Sequence, residues 1–185
     1  REFDPFLFPR TKRDGTFRVF VLGASAAQGT PDPAYSFGRM LQVMLDHARP
    51  GQTSEVVVAA MPAINSHVVV EITRDLARHE PDLFVVYLGN NEVVGPYGPG
   101  TVFAPLAPNL GLIRMGIRLR TTRVGQLVAS VAGQIGAARG TPDVWRGLEM
   151  FLDHPVSADD FRLEHVYRHF RSNLEDICGI ATRNG

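Results

Sequence analysis

Three short, nearly unbroken apolar runs mark the first half of the chain. Residues 17–25 (FRVFVLGAS), 55–61 (EVVVAAM) and 82–89 (DLFVVYLG) each predict a buried strand, and the first and third close on a glycine. Between them the period changes. Residues 36–48 (SFGRMLQVMLDHA) repeat apolar positions at helical spacing through Phe37, Met40, Leu41, Met44 and Leu45. Ser36 is the expected N-cap, and Pro50-Gly51 ends the unit. Asn65 or Ser66 then caps a second helix with Val68, Val69, Ile72 and Leu76 on one face. Apolar strands alternating with helices imply an α/β fold: a parallel sheet covered on both faces, with right-handed crossovers. Ligands in such sheets bind beyond the carboxyl ends of the strands. Those ends are Gly23-Ala24-Ser25, Ala60-Met61-Pro62 and Gly89-Asn90-Asn91-Glu92.

From about residue 93 the alternation stops. Gly95-Pro96-Tyr97-Gly98-Pro99-Gly100 excludes regular structure. Residues 109–137 combine apolar positions with arginines and predict one or two helices broken by glycines. Such a basic amphipathic helix lies on a membrane, covers a pocket, or packs ordinarily with a solvated arginine face; the last is the preferred reading. Residues 159–181 predict a long helix through Phe161, Leu163, Val166, Phe170, Leu174, Ile177 and Ile180. A fourth strand is expected to follow it, and none does within the chain. Cys178, beside Ile177 and Ile180, is expected to be a small core residue.

Composition narrows the function classes. The chain has 185 residues, enough for one domain with an insertion, and 44% of them are apolar. Lys+Arg and Asp+Glu are balanced at 19 each, without the basic excess of a nucleic-acid binder. A single cysteine excludes an internal disulfide and a multi-cysteine zinc site. No apolar stretch reaches the ~18 residues of a membrane span. The first and last residues are expected to be boundaries inside a larger polypeptide.

A serine at a strand-to-helix turn exposes its hydroxyl at the sheet edge, and Gly23 permits the tight exit that would present Ser25. A serine hydroxyl is a poor nucleophile unless a base takes its proton and donors hold the oxyanion. The side-chain amide of Asn91, at the end of the third strand, is such a donor. An ordinary turn serine and a capping asparagine are the plainer alternatives.

The order Gly23-x-Ser25, then a loop after the second strand, then Gly89-x-Asn91-Glu92 resembles blocks one to three of the SGNH/GDSL hydrolases. The longer strings FRVFVLGASAAQGTPDPAYSFGRML and VVYLGNNEVVGPYGPGTVF resemble the SGNH-like domains of bacterial tetratricopeptide-repeat proteins. The resemblance covers residues from about 17 to 103, and extends to the helix near 165–181. It implies a three-layer α/β/α sandwich of flavodoxin-like type over residues 1–185, lacking its C-terminal part and carrying a helical insertion at about 93–160. It implies Ser25 as nucleophile, with the backbone N–H groups of Ser25 and Ala60 and the side chain of Asn91 as the oxyanion hole. The expected activity is that of an esterase or deacylase on acyl esters of lipids, glycans or small molecules, without metal or organic cofactor. Proximity to a membrane, on its extracytoplasmic side, and an attached repeat domain are further expectations; a nucleic-acid partner is not. Ala24 stands where the family has Asp or Glu, and Ala60 where it has Gly.

The family's base is a histidine in a C-terminal Asp-x-x-His block, which these residues lack. His67, opening the second helix, is the nearest internal candidate, although a histidine there is more often a surface residue. His47 and His79 sit at helix ends, where an imidazole meets the last carbonyls. Asp153-His154 is a sequence neighbour pair, which seldom orients as in a triad. His165 and His169 share a helix face without the HExxH pattern of a zinc site. This chain alone is therefore expected to hydrolyse short acyl esters very weakly or not at all. Two other readings stand beside the enzyme: a noncatalytic SGNH-like domain that binds a ligand or partner, and a nucleotide-binding domain. The second lacks the GxGxxG spacing it needs.

Overall fold

The computed structural model describes residues 7–100, 109–120, 122, 123, 125–127, 130 and 155–184. The three apolar runs are strands: β1 (Phe17–Gly23), β2 (Ser54–Ala60) and β3 (Leu83–Tyr87). They form a parallel sheet in the order β2-β1-β3, with Gly23 in register with Ala60 on one side and Tyr87 on the other. A single-turn helix α1 (Ser25–Gln28) leaves β1 directly, and a 3-10 turn (Pro33–Tyr35) precedes α2 (Phe37–Ala48). The remaining helices are α3 (Ser66–Leu76), α4 (Leu110–Arg120) and α5 (Arg162–Asn184).

The packing divides into two units, one of residues 1–91 with 170–185 and one of residues 92–169. In the first unit, the period of two along β1 sorts its side chains onto opposite faces. Phe20 and Leu22 meet Ile64, Val69 and Val70 of the α3 segment and Ile177 and Ile180 of α5. Val19 and Val21 meet Ala27 and the inner side of α2, through Phe37, Leu41 and Leu45. Helices on both faces of a parallel sheet make the α/β architecture expected from the strand pattern. Burying a Phe, Leu or Val side chain contributes about 1.5–3 kcal/mol each, so the middle strand is the principal source of cohesion.

The strand and helix boundaries lie within a few residues of those read from the sequence. Ser36 caps α2 as expected, its Oγ accepting from the Arg39 N–H at 3.3 Å. The segment 95–100 is a succession of turns. Of the predicted helix over 109–137, α4 lies among the described residues and most of 121–137 lies outside them.

Several expectations about individual side chains are corrected. Met40 and Met44 are exposed, because Phe37, Leu41 and Leu45 already occupy the sheet-facing side of α2. Cys178 is exposed rather than core. Ile177 and Ile180 point inward, and one residue is a rotation of about 100° on a helix. Phe161 precedes the first turn of α5 and is 80% exposed.

Among the described residues, the largest fully buried side chain is one that the sequence reading passed over. Arg18, on the Phe20 face of β1, donates from Nε to Glu55 Oε2 at 2.6 Å. Its Nη1 donates to the His79 carbonyl at 2.7 Å and its Nη2 to the Pro9 carbonyl at 3.0 Å. Its guanidinium lies 5.4 Å from the centre of the Phe8 ring. The backbone N–H of Arg18 donates to Asp82, whose carboxylate also pairs with Lys12 at 2.8 Å. Burial pushes the Asp82 carboxyl up, but the Lys12 hydrogen bond, the Arg18 N–H and the two positive charges outweigh it and hold it below the usual carboxylate range. This cluster ties the segment before β1 to the starts of all three strands, at the edge opposite Ser25.

Candidate active site

Ser25 is the first residue of α1, two positions beyond the end of β1. The turn is this tight because residue 23 has no side chain. A Cβ there would stand 2.5 Å from the Ala27 Cβ and 2.5 Å from the Tyr87 carbonyl oxygen. Ala24 takes the N-cap position in an extended conformation without a capping side chain. The first intrahelical bond runs from the Gln28 N–H to the Ala24 carbonyl at 2.9 Å, so the N–H groups of residues 25–27 precede the helical ladder. Ser25 is half-buried, and its hydroxyl makes no hydrogen bond to a described residue.

Ala60 ends β2 beside Gly23 and is buried. The next N–H, that of Met61, donates to the Gly23 carbonyl at 3.4 Å. Asn91 follows β3 after Gly89, whose φ of +124° is left-handed backbone that favours glycine. The Asn91 Nδ2 donates to the Ile64 carbonyl at 2.9 Å. That bond fixes the amide plane against the segment entering α3 and uses one of its two N–H groups. Ser25, Ala60 and Asn91 thus belong to the carboxyl edge of one parallel sheet, each within four residues of a strand end.

His67 is 7% exposed, which corrects the expectation of a surface residue. Its Nδ1 lies 3.1 Å from Asn173 Nδ2, and the same amide donates to Ser66 Oγ at 2.9 Å. The Asn173 amide therefore holds the His67 ring at its Nδ1 edge. In a Ser-His-Asp triad a carboxylate holds the Nδ1 edge of the base, whereas here an amide does. Asn173, fully buried on α5, was not singled out in the sequence; its helix-interior position gave no sign that it reaches the start of α3.

The other histidines fall into ordinary roles. His47 Nδ1 lies 2.9 Å from the Val43 carbonyl in the last turns of α2, as expected of a helix-end histidine. The His79 ring packs edge-on against Phe8 with centres 5.3 Å apart. His165 and His169 have ring centres 6.4 Å apart, and His165 Nδ1 lies 2.7 Å from an Arg168 nitrogen. Among the described residues no group of three His, Cys, Asp or Glu side chains is placed to hold a metal ion. His154 lies outside the described residues. Among the described residues no helix is long and apolar enough to cross a membrane.

No family model and no curated protein matches the chain. Among solved structures, the crystal structure of TesA is similar at 16% identity and a TM-score of 0.38, over 88% of this chain and 99% of that one. The functional reading therefore stands on this chain's own residues.

Proposed function

We propose that this protein is a serine ester hydrolase of SGNH type, with Ser25 as the nucleophile and Asn91 as a side-chain donor to the oxyanion. The observation that carries the reading is the glycine-enforced turn at Gly23, which presents at the carboxyl edge of the sheet a serine hydroxyl with no hydrogen bond to a described residue. In the proposed reaction the Ser25 oxygen attacks an ester carbonyl as its proton passes to a base. The tetrahedral oxyanion takes hydrogen bonds from the Ser25 backbone N–H and from the second Asn91 N–H. Collapse expels the alcohol, and water then releases the acid from the acyl-serine. Anchoring of the Asn91 amide on Ile64 supports its role, since a fixed donor spends no reorganisation when charge develops. His67 meets an amide at Nδ1 and not a carboxylate, so Ser25 and Asn91 carry the proposal. The substrate class is an acyl ester of a lipid, glycan or small molecule.

Turnover of p-nitrophenyl acetate by the full-length protein tests the assignment. Ser25→Ala is expected to abolish it, and Asn91→Ala to lower kcat by roughly 10²–10³ with little change in KM. Activity that survives Ser25→Ala contradicts the assignment. The absence of a hydrogen-bonded base on Ser25 among the described residues favours a second reading, a noncatalytic SGNH-like domain that binds a ligand or partner. A folded full-length protein without turnover supports that reading.

A further inference from the structure

Helix α4 carries an apolar side that its own packing does not use. Ile113 is 2% exposed and faces inward. Leu112, Met115 and Leu119 are 58%, 53% and 53% exposed. At about 100° per residue these three fall within a sector of roughly 60°, on the side of the helix away from Ile113 and Ile117. Arg118 lies about 60° to one side of the sector and Arg120 about 80° to the other. The solvated face is therefore a leucine–methionine stripe between arginines, and not the arginine face that ordinary packing would leave outside.

Charge is segregated in the same region. Every charged residue between Glu92 and Asp143 is an arginine: Arg114, Arg118, Arg120, Arg123 and Arg139. The chain as a whole is neutral, so this local excess is offset elsewhere. A helical partner protein would match the apolar stripe but gives no reason for a span without a single acid. An anionic bilayer surface accounts for both features. Apolar side chains enter the acyl boundary while flanking guanidinium groups stay with the headgroup phosphates.

We infer that α4 is an interfacial helix that seats the protein on membranes containing anionic lipid, through Leu112, Met115 and Leu119 with Arg118 and Arg120 at the headgroups. The inference is independent of the chemistry assigned to Ser25, because it concerns binding alone.

Co-sedimentation of the full-length protein with vesicles tests it. Vesicles of phosphatidylcholine mixed with phosphatidylglycerol are compared with phosphatidylcholine alone. Binding is expected on the mixed vesicles only, and is expected to fall with added salt. Met115→Glu/Leu119→Glu should abolish it. Arg118→Gln/Arg120→Gln should weaken it by roughly thirtyfold, at about fivefold for each charge near an anionic surface. Both variants change exposed positions, and an unchanged circular dichroism spectrum and melting temperature will establish that they fold. Absence of binding to the mixed vesicles overturns the inference. So does equal binding to both vesicle types, or binding that survives the glutamate substitutions in a folded protein.

Discussion

Replacing Arg18 by methionine tests the most concentrated interaction in the fold. The guanidinium is fully buried and holds a carboxylate and two backbone carbonyls from three separate segments. Methionine fills comparable space and offers no donor. Removing one partner of a buried ion pair typically costs about 3–5 kcal/mol, because the other is stranded. Glu55 keeps 24% of its side chain exposed and can recover water, which places the expected loss near the lower end, at about 3 kcal/mol. For a chain of this size that is a fall in melting temperature of roughly 6–12 °C. Urea unfolding followed by circular dichroism should give a lower midpoint with an unchanged slope. The companion variant Arg18→Met/Glu55→Leu should recover part of the loss, with a coupling of about 1–3 kcal/mol, because no charge is then left without its partner. A single variant within about 1 kcal/mol of the parent, or a double variant whose losses simply add, would refute this account of the cluster.

Gly23→Ala is expected to destabilise by about 1–3 kcal/mol, although alanine normally stabilises a strand, because the new methyl meets the Tyr87 carbonyl oxygen at 2.5 Å; thermal denaturation reads it. Ester turnover should fall in the same variant, since Ser25 leaves the strand through this turn. Asp82→Asn should lower stability at neutral pH and matter progressively less in acid. The folded carboxyl titrates below its unfolded value, so its contribution is present above the unfolded pKa and is lost as pH falls through the folded one. Denaturant midpoints measured from pH 7 downward should therefore converge for parent and variant. Asn173→Ala should destabilise by about 1–3 kcal/mol, because the buried Ser66 hydroxyl and His67 Nδ1 lose a donor; urea unfolding measures the loss.

The strands were legible in the sequence because a middle strand covered on both faces must be apolar throughout, as VFVL is at residues 19–22. The same pattern gave the carboxyl edge, and with it the neighbourhood of Ser25 and Asn91. Arg18 was not legible, since a charge at a strand start ordinarily reads as solvated. Its burial depends on acceptors from Pro9, Glu55 and His79, which meet only in the folded chain. Met40 and Met44 misled for a related reason. Apolar spacing marks a helix but not how much of its girth the sheet covers, and α2 has more apolar surface than β1 and β2 can bury. The partner of the buried His67 ring was likewise hidden, since Asn173 is more than a hundred residues away.

The most direct test of the central claim is covalent. Full-length protein treated with a fluorophosphonate and digested for mass spectrometry should carry the phosphonyl adduct on the peptide containing Ser25. The adduct should be absent in Ser25→Ala and should form more slowly in Asn91→Ala. A folded protein in which Ser25 stays unmodified while the reagent labels a control serine hydrolase in the same tube would contradict the assignment of Ser25 as a nucleophile.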